Sequence, residues 1–147
     1  MPVTLRKATP DDASDLLAWR NDPVTRAMSR NSDPVEAADH ARWFQSALQD
    51  ATCTLLIGED DSRKIGMVRL SRGEETEVSI NLNPAVRGRG LSRELLMQAL
   101  AQESGALLAV IKPENLASIR LFEGAGFVLE DIHDGLSRYV RPAGPAP

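Results

Sequence analysis

Apolar residues recur at two spacings along the chain, and the switches between those spacings mark its elements. Val3-Thr4-Leu5-Arg6-Lys7-Ala8 alternates with period two and predicts a first strand. Thr9-Pro10-Asp11-Asp12 then supplies helix-start chemistry, and a helix follows to about Arg20 with Ala13, Leu16, Leu17 and Trp19 inward. Asn21-Asp22-Pro23 ends it, because proline forbids simple continuation. A short helical piece over Val24 to Ser29 and a polar loop at Arg30-Asn31-Ser32 come next. Asp33-Pro34-Val35-Glu36 resembles an N-cap with proline in first position. The helix it opens places Ala37, Ala41, Phe44, Ala47 and Leu48 on one side and stops near Asp50.

Period two then returns. Thr52 to Glu59 and Lys64 to Ser71 predict a hairpin across Asp60-Asp61-Ser62-Arg63, with Gly66 marking a bulge or a close backbone approach. A fourth strand over Glu77 to Leu82 ends at Pro84, and a helix begins near Gly90 with Leu91, Leu95, Leu96, Ala99 and Leu100 at helical spacing. The unbroken apolar run Leu107 to Ile111 is typical of a central strand. Asn115 caps a helix through Glu123, Gly124-Ala125-Gly126 closes it, and Phe127 to Ile132 with Leu136 to Arg141 forms a last hairpin across an Asp-Gly turn. Seven strands in this order with four helices and one short helical piece predict an α/β (α+β) domain: a mixed sheet with helices on both faces, in one unit over residues 1–141. Residues 142–147, Pro-Ala-Gly-Pro-Ala-Pro, lack core-forming side chains and are expected to form a loose tail.

Composition narrows the functional classes. A chain of 147 residues is the size of one domain and buries roughly two-thirds of its unfolded surface on folding. Seventeen basic against twenty-one acidic residues give a net charge of −4, which argues against broad nucleic-acid binding. The lone Cys53 excludes an internal disulfide, fits a reducing compartment and reads as a strand thiol rather than a nucleophile. No apolar run approaches a membrane span and no apolar signal segment opens the chain, so a cytoplasmic protein without membrane partners is expected. No residue spacing calls for a metal.

One stretch carries chemistry. In Asn83-Pro84-Ala85-Val86-Arg87-Gly88-Arg89-Gly90-Leu91-Ser92, two glycines lie at a strand-to-helix turn, where backbone can approach a ligand and helix-start amides lack partners. Those amides, the helix dipole and the arginines, Arg93 included, suit a phosphate. From the glycines alone, a tight turn with arginines in solvent fits equally well.

The spacing Arg87, Gly90, Ser92, together with Asn115-Leu116-Ala117-Ser118-Ile119-Arg120-Leu121-Phe122-Glu123-Gly124-Ala125-Gly126-Phe127, resembles the GNAT superfamily of acetyl-CoA-dependent N-acetyltransferases over about residues 3 to 141. Ser92 departs from the usual Gly or Ala, and Phe122 stands where members often carry a tyrosine. The resemblance implies a seven-stranded, mostly antiparallel sheet whose central strand splays from its neighbour. It implies that Arg87, Gly88, Arg89, Gly90, Leu91, Ser92 and Arg93 hold the pyrophosphate of acetyl-CoA. Strand groups at Asn81, Leu82 and Asn83 would pair with the pantetheine arm, with Asn115, Ser118 and Phe122 on its other side; Asn115 is equally well explained as a helix cap.

Acetyl transfer to an amine needs a neutral amine and a stabilised oxyanion, with no covalent enzyme intermediate. Glu77 is the candidate base and Ser118 a candidate proton donor to the leaving thiolate; Tyr139 is a weaker candidate, and water serves as well. Trp19-Arg20-Asn21 with His40 and Trp43 is similar to a branch acting on nucleotide-linked amino sugars and to relatives that modify ribosomal protein N-termini. A nucleotide-linked amino sugar is thus one expected acceptor, a peptide N-terminus another, and a non-catalytic CoA-binding module the alternative of a different class. A homodimer is compatible with the sequence.

Overall fold

The computed structural model describes residues 3–61, 63–101 and 103–144. Strand β1 (Thr4–Lys7) leads through a 3-10 turn into helix α1 (Ala13–Arg20), and α2 (Pro23–Met28) and α3 (Ala37–Gln49) follow. Strands β2 (Cys53–Asp60), β3 (Arg63–Ser71) and β4 (Thr76–Leu82) form a meander. Helix α4 (Leu91–Leu100), strand β5 (Leu107–Ile111), helix α5 (Leu116–Gly124) and the hairpin β6 (Val128–His133) with β7 (Leu136–Arg141) complete the domain. The expected mixed, mostly antiparallel seven-stranded sheet is present, in the order β1-β2-β3-β4-β5-β7-β6, and only β4 and β5 run parallel.

The pleat sends alternate residues to opposite faces. Leu55, Ile57 and Met67 meet Leu16 and Trp19 of α1 and Phe44 and Ala47 of α3 on one face. Val68, Leu70, Val78, Leu107 and Ala109 meet Leu95, Leu96, Ala99 and Phe122 on the other. The helices therefore cover both faces, as the element order requires.

One local reading changes and another gains its cause. Helix α3 starts at Ala37, not at Pro34, because the Asn21 carboxamide grips the Val35 main chain, accepting its N–H at 2.7 Å and donating to its carbonyl at 2.9 Å, and the N-cap Glu36 that follows is extended. Phe44, Ala47 and the half-buried Leu48 lie on the core face as expected, but His40 completes the buried stripe and Ala37 and Ala41 are exposed. Gly66 marks both a close approach and a bulge: a Cβ there would lie 2.9 Å from the Asn81 carbonyl and 2.9 Å from Leu95, and with Gly58 paired to Gly66 but Glu59 to Lys64, Ile65 beside it is the extra residue of the β3 strand.

The first helix is pinned by a polar cluster that pattern reading does not show. Asp12 is wholly buried; it takes two bonds from Arg6 at 2.8 and 2.9 Å, one from the Thr9 N–H at 2.8 Å, and pairs with Lys64 at 2.8 Å. The Arg6 guanidinium holds its carboxyl far below the usual carboxylate range. At the other end, Gly144 donates to the Ser104 carbonyl at 2.8 Å, so the expected tail begins in contact with the domain; its last residues, 145–147, lie outside the described range.

Candidate active site

The site originates in a strand pair that parts early. β4 has seven residues and β5 has five, yet only Thr76 with Leu107 and Glu77 with Leu108 are paired. Beyond those rungs the two strands diverge, and Val78, Ser79, Ile80 and Asn81 face Ala109, Val110 and Ile111 across a cavity of about 570 Å³. Alternation decides which backbone groups look into it. The Thr76 N–H bonds toward β5, at the Ala106 carbonyl, and the Asn83 N–H toward β3, at the Ile65 carbonyl. Even-numbered positions, Val78, Ile80 and Leu82, therefore present their main-chain groups to the slot, and odd-numbered ones bond β3.

That parity corrects part of the expectation for the strand edge. Leu82 faces the slot, but Asn83 does not: its N–H is taken by β3, its Nδ2 donates to the Lys64 carbonyl at 2.9 Å, and its Oδ1 accepts the Ala85 N–H at 3.0 Å. Asn81 lines the cavity, and its buried side-chain Oδ1 has no hydrogen-bond partner among the described residues. From the opposite rim come Asn115, Ser118 and Phe122 of α5. The Asn115 Oδ1 accepts the Ser118 N–H at 3.2 Å, so the helix-cap role holds while the residue also borders the cavity. Phe122 is buried edge-on against Phe127, with ring centres 5.0 Å apart. Tyr139 packs in the core among the β5 and β7 side chains, away from the cavity lining.

The glycine loop stands at the slot's open end. Asn83 caps a 3-10 turn, Pro84–Val86, and Gly88 and Gly90 follow with φ of +77° and +74°, a region L side chains rarely adopt. Gly90 precedes α4 with no side chain capping the helix, so the first-turn amides of Leu91, Ser92 and Arg93 are open to an anion. Arg89 and Arg93 are exposed. Arg87 is engaged: its Nη2 donates to Asp22 at 2.5 Å and to the Thr25 Oγ1 at 2.9 Å. That hydrogen bond holds the Asp22 carboxyl below its ordinary value.

The cavity continues under α1, α2 and α3. Leu16, Thr25, Met28, Val35, His40, Trp43 and Met67 line it beside four cations and two carboxylates: Arg20, Arg30, Arg69, Lys112, Asp39 and Glu77. Glu77 sits on the last paired rung of β4 and is ion-paired with Arg30. Burial pushes the His40 imidazole down, toward the neutral form, and its ring joins those of Trp43 and Phe44 in a three-ring cluster, stacked on Phe44 with centres 6.0 Å apart. Of the Trp-Arg-Asn stretch only Arg20 reaches the cavity. Trp19 is 5% exposed within the helix-to-sheet core and Asn21 braces the loop before α3, which corrects their expected substrate contacts. Cys53 is half-buried outside this cavity, and burial pushes its thiol up.

Met28, Ser29, Asn31, Val35 and Arg69 were missed in the sequence. None has a motif; only the strand alternation, which sets Arg69 opposite Ser79 on the face of Glu77 and Asn81, could have pointed to one of them. Among the described residues no helix is long and apolar enough to cross a membrane, and no group of three or more His, Cys, Asp or Glu is placed to hold a metal.

The residues present suit acetyl-CoA: a slot with free strand edges for the amides of its arm, and an uncapped helix with open glycines and arginines for its pyrophosphate. Comparison with known proteins agrees. The acetyltransferase (GNAT) domain family matches residues 3–128. YwnH of Bacillus subtilis (strain 168), to which phosphinothricin acetyltransferase activity is provisionally assigned, is 28% identical over 148 aligned residues, covering 92% of this chain and 90% of that protein. The solved phosphinothricin acetyltransferase of Sinorhizobium meliloti, in complex with AcCoA, superposes with a TM-score of 0.80 at 23% identity, covering 98% of this chain and 90% of that one. Spermidine N-acetyltransferase of Vibrio cholerae, in complex with CoA and spermine, gives 0.84 at 20% identity with 94% of each chain covered.

Proposed function

The chain belongs to the GNAT acetyltransferase family and is an acetyl-CoA-dependent N-acetyltransferase; from that premise we propose that it acetylates the primary amine of a small molecule held in the chamber beneath α1, α2 and α3. The observation that carries this reading is the early parting of β4 from β5, which joins the chamber to the end of the slot where the glycine loop stands.

Acetyl-CoA supplies the acetyl group as an activated thioester. The first-turn amides of α4 with Arg87, Arg89 and Arg93 hold its phosphates, and the slot-side groups of Val78, Ile80 and Leu82 bond its arm as an added strand would. An N–H of that edge donates to the carbonyl oxygen as charge develops on it during attack by the amine. The new N–C bond forms as the C–S bond breaks. Glu77, directly or through water, takes the proton the amine loses, which requires its pair with Arg30 to open. The departing thiolate is protonated by water or by the Ser118 hydroxyl; Phe122 has no proton to give. His40, neutral and stacked, and Trp43 shape the acceptor chamber.

The chamber's volume, part of it taken by the thioester end of the cofactor, favours a small acceptor over a nucleotide-linked amino sugar or a peptide N-terminus. The test is to offer the purified protein acetyl-CoA with phosphinothricin, spermidine, an amino-sugar nucleotide and N-terminal peptides, following free thiol release and identifying the product by mass spectrometry. Transfer to a small amine is expected. Transfer confined to peptides or to the sugar nucleotide contradicts the assignment, and acetyl-CoA binding without thiol release for any amine favours a non-catalytic module.

A further inference from the structure

The charges around the chamber do not balance. Of its two carboxylates, Glu77 is paired with Arg30 and Asp39 with Arg42. Lys112 spends a hydrogen bond on an uncharged group, the Ala27 carbonyl, at 3.0 Å. That leaves two guanidinium groups without a counterion among the described residues. Arg69 stands in mid-strand on β3, half-buried, with no hydrogen bond or ion pair from its side chain. Arg20 enters from α1: its Nη2 donates to the Asn31 carbonyl at 2.8 Å, while its Nη1 is shut off from water with no partner among the described residues. Burial and the neighbouring Arg26 hold the Arg20 guanidinium below its ordinary value, in keeping with a cation that lacks compensation. A buried, uncompensated donor costs free energy that the folded chain has no internal reason to bear. Arg20 stands on the helix wall, Arg69 on the sheet floor, and both border the same space as Asn81, whose buried Oδ1 is an acceptor without a donor.

Resting on the acetyltransferase reading above, we propose that Arg20 and Arg69 form an anion subsite that selects acceptors carrying a carboxylate, phosphonate or phosphinate beside the amine. The Asn81 side-chain Oδ1 accepts a hydrogen bond from that amine, orienting the nitrogen lone pair toward the slot. An acceptor of this kind neutralises what the chamber leaves unpaired; a polyamine adds positive charge to it and is disfavoured. Arg20 Nη1 and Asn81 Oδ1 are both closed to water, whereas the half-buried Arg69 is open to the anion at the outset.

Calorimetry on the CoA-loaded protein tests this with matched pairs: 2-aminoethylphosphonate against ethanolamine, and L-glutamate against its diamide, with spermidine as the polycation. The anionic member of each pair should bind at least about tenfold more tightly, the weight of a charge-assisted hydrogen bond. R69Q should remove that preference, R69K should restore part of it, and R20Q should weaken it, while CoA affinity and CoA-induced thermal stabilisation persist and show that each variant is folded. Failure of both anionic amines to bind, equal binding of ethanolamine, the diamide or spermidine, or an unchanged preference in R69Q and R20Q would overturn the proposal. Thiol release on the same samples judges transfer separately: selective binding without release leaves the subsite standing and counts against the acetyltransferase reading.

Discussion

At the scale of single residues, Arg87 shows how much a motif position says and what it leaves out. Its spacing to Gly90 is legible in the sequence, and so is the need for glycine at two positive-φ positions. Its partner Asp22, sixty-five residues earlier, is not, because nothing local relates a helix-end carboxylate to a later loop. The exposed Arg87–Asp22 pair is weak in itself and must open, or be shared, if the guanidinium is to meet a phosphate. Replacing Arg87 with glutamate should raise the acetyl-CoA dissociation constant by about tenfold or more, through the lost charge-assisted bond and repulsion between the new carboxylate and the phosphates, with the thermal midpoint of the free protein little changed because the exposed pair it loses is weak. Titration calorimetry checks it; unchanged affinity would return the loop to a tight turn with its arginines in solvent. Asn83 and Trp19 show the opposite failure. Their residue types suit a ligand, but parity turns one toward β3 and helix phase turns the other into the core.

At the scale of elements, the strands and helices were legible because their apolar periods are clean, and the misread start of α3 has an identifiable cause. A proline after an aspartate is sound N-cap chemistry, yet the Asn21 carboxamide takes both main-chain groups of Val35 and postpones the helix to Ala37. A tertiary contact outweighed a local preference. Gly66 was legible as an anomaly, though not as what it touches. The close approach of β3, β4 and α4 around it supports the very part of β4 that borders the slot, since Gly66 pairs with Leu82. Gly66→Ala should destabilise the protein by roughly 1–3 kcal/mol, because the added methyl meets backbone at Asn81 that cannot swing aside. Chemical denaturation measures it, and a neutral effect would mean that the sheet and α4 adjust freely there.

At the scale of the whole molecule, the fold has one parallel strand pair in an otherwise antiparallel sheet, and the site lies where that pair fails. The fold class followed from element order. The parting of β4 from β5 came only through family resemblance, since no property of Val78 to Leu82 or Leu107 to Ile111 forbids a full ladder between them. The chamber was the least legible part: it is assembled from α1, α2, α3, β3 and β4, and its charge balance is visible only when those elements stand together. The central claim is that the arm of acetyl-CoA occupies the gap between the two strands. Residue-resolved amide hydrogen exchange with and without acetyl-CoA tests it most directly. Slot-side amides at Ile80 and Leu82 and first-turn amides of α4 should slow markedly on binding, while those of Ser79 and Asn81, already bonded to β3, change little. Acetyl-CoA binding that leaves Ile80, Leu82 and α4 unprotected, or protects another face of the sheet, would contradict the account.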